Sequence, residues 1–97
     1  MNARSAWLRV PSDHPALAGH FPGNPIVPGA LLLDEALHAI DVTAASWQIA
    51  NLKFHRIVQP GETLRLDCSA HPGGALRIEL RADETLVMSG LLERHPT

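Results

Sequence analysis

Basic clusters are missing from this chain. No two Lys or Arg residues are adjacent, and eight basic against ten acidic side chains leave a formal net charge of -2 at neutral pH. A phosphate backbone is held by a broad row of cations, so nucleic-acid binding is not expected. Cysteine is nearly missing as well: Cys68 alone can form neither an intrachain disulfide nor a multi-cysteine zinc site, which fits a reducing compartment. His14, His55, His71 and His95 fall in unrelated places without HxxxH or other ligand spacing, so no metal site is expected. Long apolar runs are absent too, since Ile26 to Leu33 is far short of the roughly 20 residues that a membrane-spanning helix needs. The opening MNARSAWLRV has no apolar leader core. The expectation is a cytoplasmic protein with no membrane anchor. Without linkers, repeats or low-complexity tracts, the 97 residues read as a single domain, 1–97. That size is near the limit at which one apolar core offsets backbone entropy, so a self-paired oligomer is expected.

What the chain does have is an unusual loop. Residues 19–29, GHFPGNPIVPG, hold three glycines and three prolines in eleven positions. Pro28 suits the first turn of a helix, because its φ is already helical and its missing N–H has no intrahelical partner there. The segment that follows, GALLLDEALHAIDVTAA, is apolar on nearly every face, which predicts a helix enclosed by other structure. Trp7 to Val10 reads as a short strand before the loop, ended by Pro11, Ser12 and Asp13. After the helix, residues 47–58 read as a strand ending at Gln59-Pro60-Gly61-Glu62. Leu64, Leu66, Cys68 and Ala70 then alternate with polar residues, as do Leu76, Ile78 and Leu80, and a final strand runs from Thr85 to Leu92. His71-Pro72-Gly73-Gly74 and Asp83-Glu84 make the turns between them. The fold class expected is α+β: an antiparallel meander curled around one helix.

Three positions carry candidate chemistry. His20 stands between Gly19 and Phe21, where prolines and glycines fix backbone directions; taken by itself it could equally be an ordinary loop histidine. Fourteen positions later, Asp34 follows Leu31, Leu32 and Leu33. Apolar surroundings there would favour the protonated carboxyl that a general acid needs near neutrality. Asp34 could instead face a solvated rim, and Glu35, about 100° away on the helix, could be the functional carboxyl. Gly29, in the first helical turn, offers an N–H at the positive end of the dipole, or simply lets two backbones approach closely. Trp7 and Trp47 read as packing residues, and Cys68 as a small core residue.

HFPGNPIVPGALLLDEAL closely resembles the signature of the 3-hydroxyacyl-[acyl-carrier-protein] dehydratases of the FabA and FabZ type. The likeness extends more weakly through KFHRIVQPGETLRLD, and so covers most of the chain from residue 13. The resemblance implies the hot-dog fold, a strongly curved antiparallel sheet wrapped around a central helix, as a homodimer or higher oligomer with active sites at the interface. It implies a catalytic His20 and, from the fourteen-residue spacing, Asp34 rather than Glu35, drawn from different protomers. The Gly29 N–H would hold the thioester oxygen, and the Ile26 carbonyl would fix the His20 tautomer. Phe21, Ile26, Pro28, Ala30, Leu33, Leu37 and His38 are the implied substrate-binding residues. Lys53 and Arg56, on the strand after the helix, are candidates for docking an acidic acyl carrier protein. No metal or other cofactor is implied.

The implied reaction is dehydration of a 3-hydroxyacyl thioester on acyl carrier protein to the trans-2-enoyl thioester, in fatty-acid, aryl-polyene or polyketide-type synthesis. Small dehydratase-like proteins of the latter clusters are also similar to this chain in their short N-terminal segment. Asp34 is the choice of the branch that also isomerises its product, whereas Pro22 matches the dehydratase-only branch, and isomerisation is not expected. His38 departs from the family's usual Gln and, one turn after Asp34, is placed to hydrogen-bond to it. The alternatives are a hot-dog acyl thioesterase and a non-catalytic acyl-binding or scaffold protein.

Overall fold

The computed structural model describes residues 4–17, 26–40 and 46–95. Strand β1 (Arg4–Leu8) is followed by a single 3₁₀ turn at Pro15–Leu17 and by helix α1 (Gly29–Ala39). Strands β2 (Trp47–Phe54), β3 (Leu64–His71), β4 (Ala75–Ala82) and β5 (Thr85–Arg94) complete the chain. They form one antiparallel sheet in the order β1-β3-β4-β5-β2, so that β1 and β2 are its edges. The expected meander is therefore β3-β4-β5, and β2, the strand leaving the helix, closes against the last strand instead of β3.

Alternation decides which side of the sheet is core. Leu64, Leu66 and Cys68 on β3, Leu76, Ile78 and Leu80 on β4, and Met88 and Leu92 on β5 are buried. They share that interior with Leu32, Ala36 and Ile40 from α1 and its C-terminal end. Arg65, Asp67, Arg77, Glu79 and Ser89 occupy the intervening positions and face outward. The connection between β4 and β5 needs only Asp83-Glu84, with Asp83 at φ 52, a left-handed conformation that Asp tolerates better than most residues. Gly73 and Gly74, both at positive φ, turn the chain between β3 and β4.

Four sequence expectations change. The first strand starts earlier and stops at Leu8, two residues short of the expected Val10, because Arg4 to Leu8 find partners on β3 from Cys68 to Leu64. Trp7 is 70% exposed on this edge strand and is not a packing residue; Trp47 does pack, half-buried, with the Arg94 guanidinium 4.7 Å from its ring centroid. Ala70 is exposed near the end of β3. The helix is covered on one side only: Leu32 and Ala36 are buried, Leu31, Leu33 and Leu37 are half-buried, and Ala30, Asp34 and His38 are exposed. A single sheet layer covers one face of a helix, and within this chain nothing described lies over the other.

Candidate active site

The entry to α1 is tied down from both sides. Pro28, at φ -59 and ψ 143, precedes the helix in extended backbone, and its carbonyl accepts the Leu32 N–H at 3.1 Å. One residue earlier, the Val27 N–H donates to the carbonyl of Val58 at 2.8 Å. This bond clamps the chain entering the helix to the segment that leaves β2. Gly29, as the first helical residue, has an N–H with no acceptor inside the helix, directed along the positive end of the dipole.

That end opens on a cavity of about 390 Å³. Ile26, Leu32, Phe54, Ile57 and Val58 give it an apolar wall, while His55 and Arg56 stand at its margin. Phe54 is the closest neighbour of the helix start: a Cβ built on Gly29 would stand 2.8 Å from Phe54 Cζ. The approach that Gly29 permits is thus that of an aromatic side chain to its backbone, not of two backbones.

Of the residues singled out in the sequence, Ile26, Gly29 and Arg56 line this cavity. His20 and Phe21 lie outside the described residues. Pro28 is half-buried at the helix start, Ala30 is exposed, and Leu33 and Leu37 pack at the margin of the core. Asp34 does not have the apolar surroundings expected of it within this chain. At about 100° per residue it stands about 200° from both Leu32 and Ala36, the two buried positions of the helix, and so projects on the open side. His38, one turn on, is also exposed, and no hydrogen bond or ion pair between the two is present among the described residues. Glu35 has a different occupation: its Oε1 is 3.4 Å from His14 Nε2. The contact leaves Asp34 as the helix carboxylate without a partner among the described residues.

Arg56 is past the end of β2, not on it, because the ladder to β5 closes with Phe54 opposite Met88 and the His55 N–H on the Val87 carbonyl. Its guanidinium is held by Glu62, with Nη1 also donating to the Ile57 carbonyl at 2.8 Å. The Glu62 carboxyl, bonded to Arg56 and accepting the Gln59 N–H, is pulled below its ordinary range, and Arg56 is pushed up in return. Lys53 is exposed on the outward face of β2. The aromatic wall at Phe54 escaped the sequence reading, although KFHRIV already placed an aromatic residue at the end of a strand beside the helix. The bond between His55 Nε2 and Ser89 Oγ, 2.9 Å, joins residues 34 apart and left no local signal. No cluster of three metal-ligating side chains occurs among the described residues.

A family model described as ApeI-like, ApeI dehydratase, matches residues 2–91. The 3-hydroxyacyl-[acyl-carrier-protein] dehydratase FabZ of Chloroflexus aggregans is 39% identical over 69 residues, 60% of this chain and 48% of its own length. FabZ of Thermomicrobium roseum is 40% identical over 70 residues, 60% of this chain and 46% of its own length. The chain therefore spans about half the length of these curated relatives. Among solved structures, the dehydratase heterocomplex ApeI:P from Xenorhabdus doucetiae superposes with a TM-score of 0.78 at 25% identity, covering 98% of this chain and 88% of its own. The five-stranded antiparallel sheet with one helix is the hot-dog fold.

Proposed function

The chain belongs to the ApeI-like dehydratase family, and from that premise we propose that it dehydrates a 3-hydroxyacyl thioester carried by an acyl carrier protein to the trans-2-enoyl thioester. The observation that carries the reading is the placement of two residues of one helix: Gly29 opens on the apolar cavity, and Asp34 faces away from it. A site that needs both groups takes Asp34 from a second protomer.

The chemistry divides among three groups. His20 removes the weakly acidic C2 proton of the thioester. Asp34 of the other protomer, protonated, donates to the 3-hydroxyl as its C–O bond breaks, so that a water leaves and a C2–C3 double bond forms. The Gly29 N–H accommodates the negative charge that develops on the thioester oxygen between these events. The Ile26 carbonyl orients the His20 ring. Ile26, Phe54 and Ile57 exclude water from the acyl chain, with Phe21, Pro28, Ala30, Leu33, Leu37 and His38 as further contacts once two chains are assembled.

The assembly we propose is a homodimer. Among the described residues β2 pairs only with β5 and nothing described pairs with its other edge, and Ile49, Phe54 and Ile57 on and beyond it are 48%, 48% and 65% exposed. An open edge beside exposed apolar side chains is the usual seat of strand-to-strand association. A cytoplasmic setting goes with carrier-bound substrates; no helix among the described residues is long and apolar enough to cross a membrane.

Mass spectrometry of a panel of 3-hydroxyacyl carrier-protein thioesters tests this reading. Wild type is expected to release one water per thioester, and His20→Ala and Asp34→Asn to lose about 10²- to 10⁴-fold in rate. Hydrolysis of the thioester in place of water loss, or equal turnover in the variants, would overturn it.

A further inference from the structure

The consecutive residues Phe54 to Val58 all line the cavity. They begin at the last rung of an edge strand, where Phe54 stands opposite Met88, and nothing described pairs with the other edge of β2. A strand end placed in this way is where a sheet opens first. Here the segment is fastened at both ends. At the far end the Val58 carbonyl accepts the Val27 N–H at 2.8 Å. At the near end β5 holds His55 twice: the His55 N–H donates to the Val87 carbonyl at 2.7 Å, and His55 Nε2 shares a hydrogen bond with Ser89 Oγ at 2.9 Å.

The pleat puts the two functions of this strand end on opposite faces. Met88 is buried, so its partner Phe54 points to the helix side, where its ring meets Gly29. His55 follows Phe54 and Ser89 follows Met88, so both point outward, and Ser89 borders a shallow depression on the outer face instead of the cavity. A Cβ on Gly29 would be 2.8 Å from Phe54 Cζ and 3.1 Å from both Cε1 and Cε2. Equal distances to both Cε atoms, so little longer than that to Cζ, put this point above the face of the ring and not beyond its edge.

Phe54 is about half exposed, so packing alone does not fix this pose. The Gly29 N–H is set separately, by the bonds of Val27 and Pro28, which do not involve β5. The bond between His55 and Ser89 is exposed, and water competes for both groups, so it adds little to global stability. Its effect is local: it fixes the direction in which the chain leaves β2, and with it the ring one residue earlier.

We infer that His55 and Ser89 are positioning residues, whose bond across the outer face of the sheet keeps the Phe54 ring on Gly29 and so fixes the acyl wall of the cavity. Ser89 governs from outside the cavity how a long acyl chain is held, and touches no reacting atom. The inference rests on the function proposed above.

Two readouts test it, of which the first needs no turnover. A Gly29 Hα above an aromatic face is shielded, so its proton NMR signal should lie upfield in wild type. In His55→Ala and in Ser89→Ala it should move downfield, and Ser89→Thr, which restores the hydroxyl, should return it. An unmoved Gly29 signal in both Ala variants would overturn the inference. The second readout is kinetic. On a carrier-bound 3-hydroxyoctanoyl thioester, Ser89→Ala should raise KM about fivefold and keep kcat, whereas on the 3-hydroxybutanoyl thioester, with little chain to lay on the wall, the change should stay under about twofold. His55→Ala combined with Ser89→Ala should lose no more than His55→Ala alone, because the bond is already gone. Equal losses on the two thioesters, or additive losses in the double variant, would overturn the inference. A wild type that turns over neither thioester would defeat the dehydratase reading, while the Gly29 signal would still judge the fastening.

Discussion

The ring of Phe54 rests on the backbone of Gly29, with Cζ 2.8 Å from where a Cβ would be. The contact joins the last residue of an edge strand to the first residue of the helix, and both residues line the cavity.

Gly29→Ala should therefore act on turnover more than on stability. Phe54 is about half exposed, so its ring can swing away from the added methyl, and Gly29 has no positive φ to defend. At the first helical position the exchange of Gly for Ala costs the helix little. The displaced ring intrudes on the acyl wall, and kcat/KM is expected to fall by about tenfold while the melting temperature holds, a split read by steady-state kinetics beside calorimetry.

The core makes the opposite prediction. Leu80 is fully buried on β4 between the strands that carry most of the apolar interior. Leu80→Ala should cost about 2–5 kcal/mol in urea unfolding, from lost transfer energy and the cavity left behind.

A pH dependence follows from the turn after β2. Glu62 has its pKa lowered from an ordinary value of 4.5, chiefly by its bond to Arg56. A depressed carboxyl stabilises the fold above its unfolded pKa, and that contribution is lost as pH falls through the lower folded value. The pair is partly exposed, so the stabilisation is modest, about 0.5–1 kcal/mol. Glu62→Gln should be less stable than wild type by that amount at pH 7, and the gap should close in acid; a gap unchanged down to pH 2 would contradict the assignment.

Cys68 offers a simpler check. Burial pushes its thiol up, and its side chain is inside the core. Alkylation by iodoacetamide at neutral pH should be slow in the native protein and fast in denaturant, so that labelling tracks unfolding; rapid labelling of the native chain would contradict the core position.

Which parts of this arrangement were legible in the sequence depends on how local their signals are. β3, β4 and β5 follow from period-two alternation and from turns fixed by Gly, Pro and Asp, and α1 starts one residue after Pro28, which stands before the first turn in extended backbone and not within it. The pairing of β2 with β5 and the contact of Phe54 with Gly29 join distant segments, and no neighbouring residue announces them. Asp34 shows the difference most clearly. Its leucine neighbours in sequence suggested an apolar setting, yet successive helical residues point in different directions, and Leu32 and Ala36 took the buried side. The other leucines of the helix, Leu31, Leu33 and Leu37, pack only partly against this chain's core. The fourteen-residue spacing of His20 and Asp34 is readable in the sequence, but spacing by itself carries no information on assembly.

The most direct test of that shared site is complementation. His20→Ala and Asp34→Asn chains are co-expressed under separate affinity tags, and dehydration of the carrier-bound thioester is compared with each variant alone. If each site takes one group from each chain, half of the random dimers are mixed and each mixed dimer holds one intact site. The rate should then recover to about a quarter of wild type, from variants that are each nearly inactive. No recovery in tag-purified mixed dimers, beside an active wild type, would contradict a site divided between two protomers.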